Sequence, residues 1–343
     1  MSESEISLKR SWLWRGVFLL IGLGLLWIVF AGIDVFVVWQ NARVIGWGLL
    51  GVVILYVLAF LIDSLSWHLT LVSLPISFRW VWRLFAVRMV GETYNNVTPI
   101  VSMGGEPVKA ILLKRHYAVP YHESTASLIL AKTINMVGLC VFLMIGFSFM
   151  IHTGKFELVY KQTAGIGLTA IVVATVLFFS IQRLRLGSIL GEWVSNRFLS
   201  KRIHFFVQKI QSMDEALVKF YTTNGRRLFV ASMLAFLNWV LGVVEIYIVF
   251  WILDRPITWS EAWIIEAVTQ MVRSSTFFIP LSIGAQEGAF LIVAGTITGA
   301  PALGLSIGLV RRFRELIWII FGYLIGVCYT ASFGRFNPRS DIN

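Results

Sequence analysis

Long apolar runs, separated by short polar stretches, make up most of this chain. A helix needs about 20 apolar residues to cross a hydrocarbon core that is about 30 Å thick. By this measure we expect six full membrane spans, and we expect the first to stay uncleaved because no small-residue cleavage site follows it. The expected spans cover residues 16–38, 45–65, 124–151, 164–181, 228–253 and 303–329.

Two segments break this pattern because they are amphipathic and contain only short helical stretches. Residues 78–116 are interrupted at Pro99, and residues 258–299 are interrupted at Pro280. Proline removes a backbone donor and disfavours the α conformation of the residue before it. Helices of about twelve residues cannot cross a membrane. We therefore predict two re-entrant helical hairpins in addition to the six spans.

The two broken segments also resemble each other in their spacing. Three separations recur in both, which indicates that the chain contains two copies of one unit. Seven residues separate Pro99 from Glu106 and Pro280 from Glu287, twenty-one separate Pro99 from Pro120 and Pro280 from Pro301, and seventeen separate Trp82 from Pro99 and Trp263 from Pro280.

The composition is that of an integral membrane protein. The chain is 57% hydrophobic and only 14% charged, with a mean hydropathy of +0.79, whereas soluble domains carry about 25% charged residues. The net charge of +11 does not indicate a nucleic-acid partner, because most basic residues flank the apolar runs as the positive-inside rule describes. Cys140 and Cys328 lie within apolar segments and are interpreted as small apolar side chains. Neither metal-ligand spacing nor a nucleotide motif is present, so we expect no metal and no cofactor.

The distribution of basic residues predicts the topology. We assign 19 lysines and arginines to the inner side and 4 to the outer side, which places both termini in the cytoplasm, at the inner membrane of a bacterium. Three crossings per copy, an odd number, invert the second copy relative to the first, as in alternating-access transporters. The expected all-α polytopic fold divides into a cytoplasmic N-terminus (1–15), a first repeat (16–152), a second repeat (161–182 and 228–333), a cytoplasmic amphipathic linker (183–227) and a cytoplasmic tail (334–343).

Polar residues within these apolar segments are the candidate site. A charge at the bilayer centre costs about 2.5–3.5 kcal/mol on insertion scales, so such groups are usually paired or face a cavity. Asp34 and Asp63 are interpreted as lying at span ends. Glu92 and Arg273 each precede their proline by seven residues, and we expect them to form crossed pairs between the repeats. The candidate substrate-binding residues are Glu92, Asn95, Asn96, Glu106, Lys109, Lys132, Asn135, Arg273, Gln286, Glu287, Arg311, Arg312, Arg314 and Glu315, and the candidate structural residues of the hairpins are Pro99, Gly104, Gly105, Pro280, Gly284 and Gly288.

Two short helices are expected to begin at Gly105 and near Ala285. Their N-terminal N–H groups and positive dipole ends would favour a phosphate group near the membrane centre. Glu106 and Glu287 have two interpretations, because a carboxylate in the first helical turn can stabilise the dipole or can act on a ligand or a proton. Asn95 and Asn96 also have a structural interpretation, since their amides can satisfy backbone groups freed near Pro99.

These residues resemble the transmembrane region of the lysylphosphatidylglycerol synthase family, also called the flippase-like integral membrane family. The resemblance rests on Asn95-Asn96-x-x-Pro99 to Gly104-Gly105-Glu106-Pro-Val-Lys109-Ala, and on Ile279-Pro280 to Gly284-Ala-Gln286-Glu287-Gly288 with the arginine-bearing span that follows. Residues 91–113 also resemble the hopanoid-biosynthesis-associated branch.

The resemblance implies that the protein translocates lipids between leaflets. We expect a flippase-like transporter for a polar-headed lipid that carries a phosphate, with phospholipids, polyprenyl phosphates and hopanoids as the lipid classes and a homo-oligomer left open. Some family members fuse this region to an aminoacyl-transferase part; we recognise no such part here and do not extend the synthase activity. Two alternatives remain, a membrane-embedded lipid-modifying enzyme and a lipid-binding partner without transport. We assign no catalytic residue because no nucleophile–base pair is apparent.

Overall fold

The computed structural model describes residues 35–97, 104–184 and 201–331. Every secondary-structure element in these ranges is a helix, which agrees with the expected all-α class. The expected cytoplasmic N-terminus, most of the first span, Pro99 and the C-terminal tail lie outside the described residues.

Eleven α-helices and one 3₁₀ turn make up the described part of the chain. They are α1 (Val35–Ile45), α2 (Gly48–Thr70), α3 (Phe78–Val97), α4 (Gly105–Tyr117), α5 (Tyr121–His152), α6 (Leu158–Arg183), α7 (Lys201–Thr223), α8 (Gly225–Ile252), α9 (Trp259–Ser275), the 3₁₀ turn Pro280–Ser282, α10 (Ala285–Thr298) and α11 (Pro301–Ala331).

Five described segments are long and apolar enough to cross a membrane. Helices α2, α5, α6 and α8 coincide with predicted spans, and the fifth segment, Pro280–Thr298, is part of the predicted second hairpin. Helix α11, the last expected span, has 31 residues and is about 46 Å long, but it carries four charged residues between positions 311 and 315. Length and composition thus support a multi-pass membrane protein.

Each broken segment folds back on itself, so that its first and last residues lie close together. In the first, the rings of Trp80 on α3 and Tyr117 at the end of α4 have centroids 5.5 Å apart. In the second, Lys155 Nζ donates to Glu261 Oε1 at the start of α9 (2.5 Å) and to the carbonyl oxygen of Ile297 near the end of α10 (3.1 Å). Helices α3 and α4 therefore form a first hairpin, and α9 and α10 form a second hairpin.

The first and last residues of the first hairpin lie at one end of α5, and those of the second hairpin lie at the other end. Tyr117 lies four residues before the start of α5 and Lys155 lies three residues after its end, and a helix of 32 residues is about 48 Å long. Helix α11 runs between the same two ends, because Pro301 follows α10 and the hydroxyl of Tyr329 lies 2.7 Å from that of Tyr117.

The helices pack through apolar cores and small residues. Helix α2 contacts α8, α3 contacts α11, and α9 contacts α5. A Cβ added to Gly322 of α11 would overlap Thr93 of α3, and a Cβ added to Gly146 of α5 would overlap Ala267 of α9. Membrane helices commonly approach each other at such small residues.

Helix α7 is the predicted amphipathic linker helix. Its Leu217 and Phe220 are buried together with Ala126 and Leu130 of α5. Part of its apolar face therefore contacts protein, and its position on the inner leaflet stays a prediction.

Candidate functional site

The second hairpin turns through irregular backbone at Pro280–Ser282. Leu281 has a φ of 54°, and Gly284 has a φ of 80°, a conformation that glycine adopts without a Cβ clash. Helix α10 begins at Ala285, where we expected it. The Glu287 carboxylate accepts a hydrogen bond from the Gly284 N–H at 2.8 Å, so this side chain caps the helix whatever else it does.

The first hairpin depends on a close approach of its two helices. A Cβ on Gly105 would overlap the carbonyl oxygen of Gly91, so α4 can lie this close to α3 only because residue 105 is a glycine. A Cβ on Gly91 would overlap the side chain of Lys109. Asn95 Oδ1 accepts a hydrogen bond from the Gly105 N–H at 2.7 Å. This amide therefore satisfies one of the free donors at the start of α4.

Lys109 joins the two helices of the first hairpin electrostatically. Its Nζ lies 3.1 Å from Glu92 Oε1 on α3 and 3.2 Å from Glu106 Oε1 in the first turn of α4. The lysine side chain is only 7% exposed, whereas those of Glu92 and Glu106 are 33% and 22% exposed. The two carboxylates can therefore be reached by a ligand, while their shared cation is covered.

Asp63 is part of the same charged region. Its carboxylate pairs with the Arg88 guanidinium, and both side chains are largely buried. The interpretation of Asp63 as lying at a span end stays a prediction, and the structure adds a partner, because α3 packs on α2 and brings the Arg88 cation to it. Asp34 lies outside the described residues.

A fully buried ion network lies where α8, α9 and α11 meet. Arg311 Nη2 lies 2.8 Å from Glu245 Oε2 and 2.6 Å from Glu266 Oε2, and all three side chains are 1% exposed. Arg314 pairs with Glu245 at 2.5 Å. The hydroxyl of Tyr56 on α2 donates to Glu245 at 3.0 Å. The two guanidinium charges balance the two carboxylate charges, and these four side chains are at most 5% exposed. The network therefore joins helices in the interior of the protein.

A second set of ion pairs lies at the second hairpin itself. Arg312 Nε contacts Glu287 Oε1 at 2.5 Å, and its Nη1 contacts Glu315 Oε2 and the carbonyl oxygen of Leu281, both at 2.8 Å. Arg273 pairs with the other oxygen of Glu315 at 3.3 Å. Arg312 thus holds the irregular turn, the start of α10 and α11 together.

The expected crossed pairing of Glu92 and Arg273 was wrong. Glu92 binds Lys109, seventeen residues away in the same hairpin, and Arg273 binds Glu315 on α11. The hairpins nevertheless touch, because α3 contacts the 3₁₀ turn Pro280–Ser282.

The remaining candidates differ sharply in exposure. Lys132 on α5 is exposed and Asn96 and Asn135 are half-buried. No carboxylate of a described residue lies within 4 Å of the Lys132 amine. Gln286 is completely buried, and neither atom of its amide has a hydrogen-bond partner among the described residues.

Several polar residues of the site were not assigned from the sequence. Four residues received no role from the sequence: Tyr56, Glu245, Glu266 and Gln270. Gln270 Nε2 donates to Glu266 Oε1 at 2.6 Å, and their spacing of four residues on α9 was a usable helical signal. Among the described residues, no group of three side chains could hold a metal ion.

The fold and the paired charges define a polytopic membrane protein with two charged helical hairpins. Residues 16–322 match the family described as the lysylphosphatidylglycerol synthase TM region, so the chain belongs to that family.

Two curated relatives resemble most of the chain. A UPF0104 membrane protein of Methanothermobacter thermautotrophicus is 25% identical over 299 residues, which cover 82% of this chain and 84% of the relative. A UPF0104 membrane protein of Pyrococcus horikoshii is 24% identical over 287 residues, which cover 78% and 82%. Both organisms are archaea, and the bacterial source and the hopanoid-associated branch stay predictions. No solved structure matches the chain significantly.

Proposed function

We propose that this protein is a flippase-like transporter that moves a polar-headed lipid between leaflets. The observation that carries the proposal is the accessible charged surface of the first hairpin and α5, where Glu92 and Glu106 of the hairpin and Lys132 of α5 are open to a ligand within an otherwise apolar helical protein. Charged groups of this kind inside a membrane protein usually line a polar pathway. A headgroup would contact them while its hydrocarbon tails stay in the lipid.

The proposed architecture is a pair of inverted repeats with six crossings and two re-entrant hairpins. In the proposed repeats α2 corresponds to α8, α3 to α9, and α5 to α11. Three contacts support this correspondence: α2 packs on α8, α3 packs on α11, and α9 packs on α5. The opposite placement of the hairpin ends along α5 is what an inverted pair requires. Inverted repeats around broken helices are typical of alternating-access transporters.

The candidate residues divide into three groups by their exposure and their partners. We assign ligand contact to the accessible side chains, which are Glu92, Asn96, Glu106, Lys132, Asn135 and Arg273. Arg311, Arg314, Gln286 and Glu287 are buried, and we assign them to the shape of the second hairpin. Lys109 and Arg312 connect the helices around the accessible surface.

A reconstituted vesicle assay tests this function. Acyl-labelled fluorescent phospholipids and a fluorescent polyprenyl phosphate are incorporated in both leaflets, and a membrane-impermeant quencher reports how fast inner lipid reaches the outside. We expect exchange of at least one lipid above protein-free vesicles, and a loss of about tenfold in Lys132→Gln, since each 1.36 kcal/mol changes a rate tenfold.

Arg255→Gln is the matched control, because it removes an exposed cation from a loop outside both hairpins. Exchange equal to that of protein-free vesicles for every lipid would contradict the proposal. New lipid species in mass spectra of the vesicles would indicate an enzyme instead.

A further inference from the structure

Five charged groups around Lys109 do not balance among themselves: Asp63 on α2, and Arg88, Glu92, Glu106 and Lys109 on the first hairpin. The other bases of the hairpin lie near the start of α3 and the end of α4 and are not part of this group: Arg79, Arg83, Lys114 and Arg115. Three carboxylates, those of Asp63, Glu92 and Glu106, share two cations, Arg88 and Lys109. This group therefore carries one net negative charge. Residues 98–103, which connect the two helices, contain no titratable side chain, so the connection does not change the count.

The positive charge of Lys132 brings the net charge of the group to zero, although this lysine forms no ion pair of 4 Å or less with a described carboxylate. Its neighbour on α5, Ala131, packs against the apolar cluster that contains Val90 of α3 and Ala110 of α4, so this part of α5 lies beside the first hairpin. The six groups together are neutral, with a separated cation on α5 and an accessible pair of carboxylates on the first hairpin.

The charges at the second hairpin and on the helices beside it balance one another. Four arginines on α9 and α11 are matched by four glutamates on α8 to α11, and each arginine is bound by at least one of them: Arg273, Arg311, Arg312 and Arg314 with Glu245, Glu266, Glu287 and Glu315. We therefore place the charges of a headgroup at the first hairpin and Lys132, where the carboxylates outnumber their bound cations.

We propose, on the basis of the proposed function, that the transported headgroup is zwitterionic, with a phosphate bound at Lys132 and an ammonium bound between Glu92 and Glu106. A neutral headgroup keeps the six-group site neutral, whereas an anionic headgroup leaves one uncompensated charge in a medium of low dielectric constant, which is costly. The same lysine and carboxylates also present opposite charges to the two ends of such a headgroup.

The test compares three acyl-labelled probes in otherwise identical vesicles: phosphatidylcholine and phosphatidylethanolamine, which are zwitterionic, and phosphatidylglycerol, which is anionic. We expect the two zwitterionic probes to exchange about tenfold faster than phosphatidylglycerol. A tenfold difference in rate corresponds to about 1.36 kcal/mol in activation free energy. Equal or faster exchange of phosphatidylglycerol overturns this inference and leaves the proposed function standing. Exchange of none of the probes, nor of a polyprenyl phosphate, contradicts the proposed function itself.

Two variants test which residues determine the preference for zwitterionic headgroups. Glu106→Gln makes the site one unit positive, so we expect phosphatidylglycerol to gain relative to phosphatidylcholine by about tenfold. Lys132→Gln makes it one unit negative, and exchange of phosphatidylcholine should fall. Glu157→Gln, an exposed position at the start of α6, changes the net charge of the protein equally and should alter neither rate.

The ratio of the exchange rates of phosphatidylglycerol and phosphatidylcholine distinguishes a change of specificity from misfolding, since a misfolded variant exchanges both lipids more slowly. An unchanged ratio in a folded Glu106→Gln protein overturns the assignment of the ammonium to these carboxylates.

Discussion

At the scale of single residues, the main physical problem is how the protein tolerates buried charge. Arg311, Glu245 and Glu266 are almost completely inaccessible, and removing such groups from water costs several kcal/mol per ion. Their mutual attraction offsets this cost only because each carboxylate faces a guanidinium at 2.5–2.8 Å. The balance of two arginines and two glutamates is therefore itself a requirement for folding.

Replacing Arg311 by Met should destabilise the protein by about 3–5 kcal/mol, because it leaves a buried carboxylate without its cation. The double variant R311M/E266Q removes one charge of each sign and keeps the Arg314–Glu245 pair, so it should be more stable than R311M alone. Thermal unfolding in detergent measures both differences.

Arg255→Met is the control for the loss of an exposed arginine and should leave the melting temperature nearly unchanged. A double variant no more stable than R311M would show that charge balance does not govern this network.

The sequence predicted the types of residue at the site better than their partners. Glu106 and Glu287 lie in the first turns of α4 and α10 as the spacing suggested. Their partners depend on how the helices rotate and cross, which no periodicity reports. The stem of Lys109 lies directly over Gly91, so its amine reaches Glu92 locally. Tyr56 meets Glu245 from 189 residues away.

At the scale of helices, the two hairpins show how breaks and small residues create irregular backbone inside an apolar protein. Such backbone is tolerated at membrane depth only where protein or a polar cavity surrounds it. In the first hairpin the crossing of Gly91 and Gly105 brings α3 and α4 together. In the second, Arg312 binds the carbonyl of Leu281. Proline and glycine marked both breaks in the sequence, which is why the helix boundaries were predictable.

Gly105→Ala should destabilise the protein by about 1–3 kcal/mol, the usual cost of overpacking, because the new Cβ overlaps the carbonyl oxygen of Gly91. Gly51→Ala is the matched control, since Gly51 lies inside α2 with nothing within 4 Å of an added Cβ. Alanine there should be neutral or should stabilise the helix by up to about 1 kcal/mol. Equal melting temperatures for the two variants would contradict the close crossing.

At the scale of the whole molecule, hydrophobic periodicity predicted the helical class and four of the candidate spans, and the number of crossings depends in part on one segment. Pro280–Thr298 has the length and composition of a span, whereas its contacts are those of a hairpin arm. Lys155 binds both Glu261 at the start of α9 and Ile297 near the end of α10. Composition cannot distinguish these cases, because a buried re-entrant helix and a spanning helix are equally apolar.

Cysteine labelling decides between these two topologies. In a background of Cys140→Ser and Cys328→Ser, single cysteines replace Gly154 after α5, Ala300 after α10 and Ile76 before α3. If α9 and α10 form a re-entrant hairpin, Gly154→Cys and Ala300→Cys should both react with an impermeant maleimide on intact cells. Ile76→Cys should react only after permeabilisation, because α5 separates its side from that of Gly154. If Ala300→Cys also required permeabilisation, α10 would complete a crossing, and the inverted six-span architecture would be wrong.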